Sequence, residues 1–412
     1  MSPDPICEAA YLDNNATSPV AEEVIAAMLP WFRAEPGNPS SLHGPGERAH
    51  AAISKARKQV AELLGARSPK QVHFTSGGTE SINSALFSAL ASGSTQGRNL
   101  AITSTVEHPA TTEYLVAMAK SGAWATGLEA RTKLEVTTIP VDAEGRLEVQ
   151  ALLDLLSDQG ERCSVVSLLL VNNETGHILS PDDIRAIGDA AHRVGAMLHL
   201  DAVQAAGKLS LQLADLPVDF ASISGHKLHG PKGTGALYVR GETFHSLLHG
   251  GPQESERRAG TENVPGIVGL GEAAALARAY VASPEAMAKT TGRRDQLEQA
   301  LLAALPGARV AGAGAKRVGT ACCMEFPGVD GEAALLMLSH MQVAVSTGSA
   351  CGSTHHAPSH VLLAMGRTED EAASSLRFSL SRETTDAEVG LAIANVPTVI
   401  CALRSLSAGI AD

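Results

Sequence analysis

Between about residue 70 and residue 240, short apolar runs alternate with helical stretches, and the runs are apolar almost without a break. Val165–Val171 reads VVSLLLV, followed by Asn172-Asn173-Glu174-Thr175-Gly176 and by a helix opening at Ser180-Pro181-Asp182-Asp183. That opening carries a cap residue, a proline at the first helical position and acids in the first turn. Gln71–Thr75, Leu100–Ser104, Ala196–Leu200, Asp219–Ser224 and Gly235–Val239 read as further strands. A strand wet on one face alternates apolar and polar residues, whereas unbroken apolar strands between helices are covered on both faces. The pattern predicts an α/β fold built on a largely parallel sheet, in which ligands gather at the carboxyl ends of the strands.

A chain of 412 residues is too long for one ordinary core, so two domains are expected. A long Ala/Leu-rich helical region from Gly266 to about Leu305 leads into a second α/β unit, with strands expected at Cys322–Phe326 and Ser375–Ser381. We divide the chain into an N-terminal segment (1–20) that packs with a small C-terminal domain (263–412), and a large domain (21–262). A net charge of −12 argues against nucleic-acid or anionic-membrane binding, because phosphate neutralisation needs a basic face. No apolar run reads as a membrane span, and Met1–Asp4 does not open a signal peptide. Six cysteines, none in a CxxC pair, are too few for a disulfide scaffold. A reduced, cytoplasmic protein is expected.

Most residues with chemistry to offer fall at the predicted strand ends. Gly225-His226-Lys227 sets a lysine straight after one strand, and Asp201 closes a neighbouring one. Such a pair is what a pyridoxal phosphate enzyme needs, since the lysine forms the Schiff base and the carboxylate pairs with the pyridinium nitrogen. Lys232 is a rival for the lysine, and Asp201 could equally cap a helix. Thr75-Ser76-Gly77-Gly78-Thr79-Glu80 joins a strand to a helix, and its glycines and free helix N–H groups suit a phosphate, although such turns are common. His108 is either a structural histidine or, stacked on a pyridine ring, an acid/base group. Cys351 lies among small polar loop residues, which suits a nucleophilic thiol better than a buried one. His355, His356 and His360 follow it, but no second ligand cluster accompanies them, and no metal is expected. Arg377, on an alternating strand, either points to water or clamps a carboxylate. Cys322 and Cys323 read as core.

Together these motifs resemble those of cysteine desulfurases of the class V aminotransferase family, closest to the nitrogen-fixation and iron–sulfur-assembly types. The likeness runs through Tyr11–Thr17, Gly37–Ser41, Thr75–Glu80, Val106-Glu107-His108, Asn172-Asn173-Glu174, Asp201 with Gln204, Ser224–Lys227, Arg258–Asn263, Ser349-Ala350-Cys351 and the Arg377 strand. It implies a fold-type I pyridoxal-phosphate-dependent transferase, homodimeric, with active sites near the subunit interface. It also implies Lys227 as the Schiff-base lysine, Asp201 as pyridinium partner, and Asn173 and Gln204 near the phenolic oxygen or the substrate. His108 would stack on the ring and move protons. Gly78, Thr79, Ser224 and His226 would hold the phosphate, with Thr261 reaching in from the other subunit, and Arg377 would bind the substrate carboxylate. L-cysteine would yield alanine and leave a persulfide on Cys351, for delivery to an acceptor such as an iron–sulfur scaffold. Gly352–Ala357, Gly250–Arg257 and the length of 115–150 depart from the family pattern. Selenocysteine lyase and aminotransferase remain alternatives within the family, and an inactive scaffold outside it.

Overall fold

The computed structural model describes residues 9–124, 133–348 and 358–410, and for 407–410 the backbone only. Cys351, His355 and His356 lie outside the described residues. Seven strands form the central sheet in the order Val72–Thr75, Gly235–Val239, Phe220–Ser224, Met197–Asp201, Cys163–Leu169, Leu100–Ser104, Glu135–Ile139. Only Gly235–Val239 runs antiparallel to its neighbours. Thr75, Ser104, Leu169, Asp201 and Ser224 therefore all end on one side of the sheet.

The unbroken apolar strands do serve two cores. Leu100, Ile102, Val166, Leu168, Leu198 and Leu200 pack with residues of helices Gly44–Leu64, Pro181–Arg193 and Val264–Val281. Ala101, Val165, Phe220 and Leu237 point the other way, against Ile82, Leu86 and Leu90 of helix Gly78–Ser94 and Leu115 of helix Pro109–Ser121. Each fully buried Leu or Ile contributes roughly 1.5–3 kcal/mol. The edge strand Glu135–Ile139, absent from the sequence-based expectation, buries only Ile139.

The C-terminal unit holds an antiparallel sheet in the order Ser375–Ser379, Ala321–Glu325, Arg309–Val310, packed under helices Pro284–Ala304, Gly331–His340 and Asp386–Ile410. Cys322 and Cys323 are buried in its middle strand. The expected single helical region is two helices, because Ser283 caps a new one at Pro284 by accepting from the Ala286 N–H at 3.2 Å. The first of them, Val264–Val281, lies on the large unit. An added Cβ at Gly271 would sit 2.6 Å from Ala56 Cα, so this helix and helix Gly44–Leu64 need glycine where they meet.

The N-terminal strand Ala10–Tyr11 pairs with Val343–Ala344, and Ala10 and Leu12 enter the small core. From there the chain crosses to the large unit, where Ser18 N–H donates to His226 O at 2.9 Å. By length and mean hydropathy, Val264–Val281 and Asp386–Leu406 are apolar enough to cross a membrane, where the sequence reading saw no span. In the structure both contribute residues to the two cores.

Candidate active site

A cleft of about 300 Å³ opens at the carboxyl ends of the parallel strands. Strand Phe220–Ser224 runs straight into a single 3-10 turn, Gly225–Lys227, which presents Lys227 to the cleft. The turn is tight because Gly225 N–H donates to Thr234 O at 2.9 Å, and a Cβ on Gly225 would meet Thr234 Oγ1 at 2.3 Å. Lys227 Nζ donates to the backbone carbonyls of Asn15 and, at 2.6 Å, of Ala16. The rival Lys232 is exposed and does not line the cleft.

Asp201 ends the next strand, paired in register with Ser222, and is buried. Its Oδ1 accepts the Val203 N–H at 2.9 Å. Burial raises its pKa to about 6, against the lowering effect of that bond and of the Lys227 charge. His108 caps helix Pro109–Ser121, with Nδ1 accepting the Ala110 N–H at 3.1 Å. Its pKa falls to about 4, first through burial and then through the charges of Lys227 and His360. A neutral His108 whose Nδ1 accepts carries its proton on Nε2. His226 is likewise driven to about 4, by burial and then by Lys227 and Lys232, and its Nδ1 lies 3.2 Å from Thr17 Oγ1.

Gly78 and Thr79 line the cleft at the start of helix Gly78–Ser94, whose N-cap Gly77 offers no side-chain cap bond. First-turn N–H groups there face the cleft with the positive end of a long helix dipole. A Cβ at Gly78 would approach Val203 Cγ2 to 2.9 Å, so the glycine keeps this end of the cleft open. Ser224, Asn173 and Gln204 complete this part of the lining. Arg377, on the small unit's strand, is 3% exposed and reaches the same cleft. Its Nη2 pairs with Asp13 at 2.9 Å, its Nη1 donates to Asn173 O at 3.3 Å, and its Nε is buried without a hydrogen-bond partner among the described residues. Thr261 is exposed and does not line the cleft of this chain. His360 Nε2 bonds to Glu107 O at 3.0 Å, and no cluster of three or more His, Cys, Asp or Glu side chains suited to a metal is found among the described residues.

Three partners of the site were given no role of their own from the sequence, although Asn15 and Glu107 fall within motifs noted there. Lys208 Nζ donates to Asn15 Oδ1 at 2.6 Å and to Gln204 Oε1, while Gln204 Nε2 donates to Asn15 O at 2.9 Å. Burial, with the charges of Lys227 and Arg377, pushes the Lys208 pKa well below its usual value. Asn15 thus binds both lysines, and its Nδ2 also donates to Asn173 O at 3.0 Å. Glu107, next to His108, is buried and accepts from Ser104 Oγ at 2.5 Å and Leu169 N–H at 3.0 Å. Burial, aided by Asp201, raises its pKa to about 8. The four-residue spacing of Gln204 and Lys208 was the one available signal for the lysine. A larger, more open depression of about 1140 Å³, lined by Lys70, His73, Phe244 and Arg257 among others, brings together none of the predicted residues.

Residues 10–391 match the family model described as aminotransferase class-V. The chain belongs to this family. Its class-V relatives include proteins named cysteine desulfurase from Gluconacetobacter diazotrophicus, 44% identical over 97% of this chain and 95% of that protein, and cysteine desulfurase NifS from Azotobacter vinelandii, 42% identical over 96% and 94%. A solved NifS-like protein superposes with a TM-score of 0.84, at 33% identity, over 95% of this chain and 99% of that one. The fold is that of fold-type I pyridoxal phosphate enzymes, and class-V members use that cofactor. The cleft fits it chemically. Its lining offers first-turn helix N–H groups without a side-chain cap, suited to a phosphate, together with a buried carboxyl, an amine and a neutral imidazole.

Proposed function

We propose that this protein is a pyridoxal-phosphate-dependent cysteine desulfurase that converts L-cysteine to L-alanine and passes the sulfur through a persulfide on Cys351. The observation that carries the reading is the convergence of Lys227, Asp201, His108 and Arg377 on one cleft, in a chain 42–44% identical to proteins named for that reaction. Lys227 would hold the cofactor through Nζ. Asp201 would face the ring nitrogen, where a cation would draw its pKa back down from about 6. Gly78, Thr79, Ser224 and His226 would surround the phosphate, joined by Thr261 of the partner subunit in a homodimer. Asn173 and Gln204 would flank the ring's oxygen side. When bound, the cofactor supplies an electron sink for charge developing at the substrate Cα.

The chain's own groups then divide the work. Arg377 would bind the substrate carboxylate, its planar fork already held by Asp13 and Asn173 O. Lys227 Nζ, in its free amine form, would be the base that removes and returns protons at Cα. His108 carries a proton on Nε2 for the same traffic. The Cys351 thiolate attacks the substrate sulfur, so that an S–S bond forms as the Cβ–S bond breaks. The electron pair of the broken bond stays on carbon, which takes up a proton and leaves as alanine. The persulfide sulfur would go to an acceptor such as an iron–sulfur scaffold in the cytoplasm.

The test is alanine release from L-cysteine by the pyridoxal-phosphate-loaded protein with a thiol reductant present. Equal amounts of alanine and sulfide are expected. No alanine from cysteine, with release from selenocysteine or with amino-group transfer instead, would overturn the assignment in favour of those family chemistries.

A further inference from the structure

Glu174 stands next to the cleft residue Asn173 but does not itself line the cleft. It is 2% exposed, and its carboxyl is turned toward the small unit. There Oε2 accepts the hydroxyl of Ser359. A Cβ placed on Gly348 would lie 2.6 Å from the same oxygen and 2.9 Å from Ser359 Cβ. Gly348 and Ser359 are therefore neighbours in space with one carboxylate oxygen across both. In sequence they flank the stretch that contains Cys351.

Glu174 is itself held firmly. Its N–H and that of Thr175 both donate to Asn172 Oδ1, at 2.9 and 3.0 Å. One residue back, Asn173 O accepts from Arg377 Nη1 and from Asn15 Nδ2. A carboxyl at this depth is costly, and burial raises its pKa to about 7 despite the Ser359 bond and the Arg377 charge. Packing alone would be served better by an apolar side chain of the same size.

We propose that Glu174 is a positioning residue for sulfur transfer, fixing Gly348 and Ser359 against the Asn173–Arg377 wall so that the Cys351 stretch leaves and returns at set points. The inference rests on reading Cys351 as the sulfur acceptor. It separates two halves of the reaction. Exchange of the L-alanine α-proton needs the cofactor and Lys227 but no thiol, whereas persulfide formation needs Cys351 in reach.

The experiment compares Ser359→Ala, Glu174→Ala and Glu174→Gln with wild type in the loaded enzyme. Three rates are read: α-proton exchange of L-alanine in D2O, persulfide formation on Cys351 in a single turnover, and alkylation of Cys351 by iodoacetamide without substrate. Ser359→Ala and Glu174→Ala are expected to leave exchange within about twofold and to slow persulfide formation by about tenfold or more, as misplacement of a reacting group does. Glu174→Gln keeps an acceptor for the Ser359 hydroxyl and is expected to recover most of the rate. If Glu174→Ala does not fold, Ser359→Ala, which loses only one hydroxyl, decides the matter. Exchange and persulfide formation falling together would mean a general structural role and overturn the proposal, as would unchanged rates in all three variants. If wild type forms no persulfide on Cys351, the desulfurase reading is what fails. The alkylation rate then judges Glu174 by itself: a change in Ser359→Ala upholds the positioning role, and no change overturns it.

Discussion

Asp201 and Glu107 are both buried carboxyls with raised pKa values, yet their surroundings prepare them for different states. Asp201 has Lys227's charge within its field and lines the cleft, so a cationic ring nitrogen would complete its pairing. Asp201→Asn removes that charge and should slow α-proton exchange of L-alanine by about 10²-fold, the usual scale for losing one aligned electrostatic partner. An unchanged exchange rate would take the role from Asp201. Glu107 is raised to about 8 by burial and by the field of Asp201, against the lowering effect of the Ser104 hydroxyl and the Leu169 N–H. Its folded pKa is raised above the ordinary 4.5, so its contribution to stability is complete below that value and is lost as pH rises through about 8. Glu107→Gln, which cannot ionise, should therefore gain on wild type in urea midpoint steadily from pH 5 to pH 8. A pH-independent gap would show that Glu107 is not protonated in the fold. Lys227 and Asp201 could be picked out in the sequence because each stands at the end of an apolar run, and His108 because it lies just beyond one, after Val106-Glu107. Lys208 and Glu107 were not, because their standing comes from neighbours far along the chain, such as Asn15 for the lysine and Leu169 for the glutamate.

At the level of elements, the proposed phosphate cradle depends on how closely strand Gly235–Val239 passes the Ser76–Gly78 turn. A Cβ on Gly235 would lie 2.6–2.8 Å from three backbone atoms of Gly77, which cannot rotate away as a side chain can. Gly235→Ala should cost about 1–3 kcal/mol of stability and weaken pyridoxal phosphate binding; melting and titration of the cofactor-free protein would check both. If neither changed, the close approach would not be what shapes the cradle. Buried strands were readable because their apolar runs are unbroken, but direction is not written in such a run. The antiparallel course of Gly235–Val239 is set by the short Gly225–Thr234 connection that turns the chain back beside Phe220–Ser224. Glu135–Ile139 escaped notice since its EVTTI sequence keeps a wet edge and one buried residue.

Across the whole molecule the site is a joint product of three stretches that are distant in sequence. Asp13 and Asn15 come from the N-terminal crossing segment, Asn173 from the large unit and Arg377 from the small one, and they bond directly to one another. The sequence motif around residues 11–17 could be matched to a family, but its physical task, bridging the units over the cleft, appears only when both sheets are in position. Arg377→Lys keeps the charge and loses the fork that spans Asp13 and Asn173. It should raise KM for L-cysteine by about tenfold and leave cofactor binding near wild type; an unchanged KM would remove Arg377 from substrate recognition. The most direct test of the central claim is the mass of the Cys351 peptide after a single turnover with L-cysteine. One added sulfur atom in wild type, absent from Lys227→Ala, is the predicted result. Alanine formed with Cys351 unmodified, and at the same rate in Cys351→Ala, would contradict it.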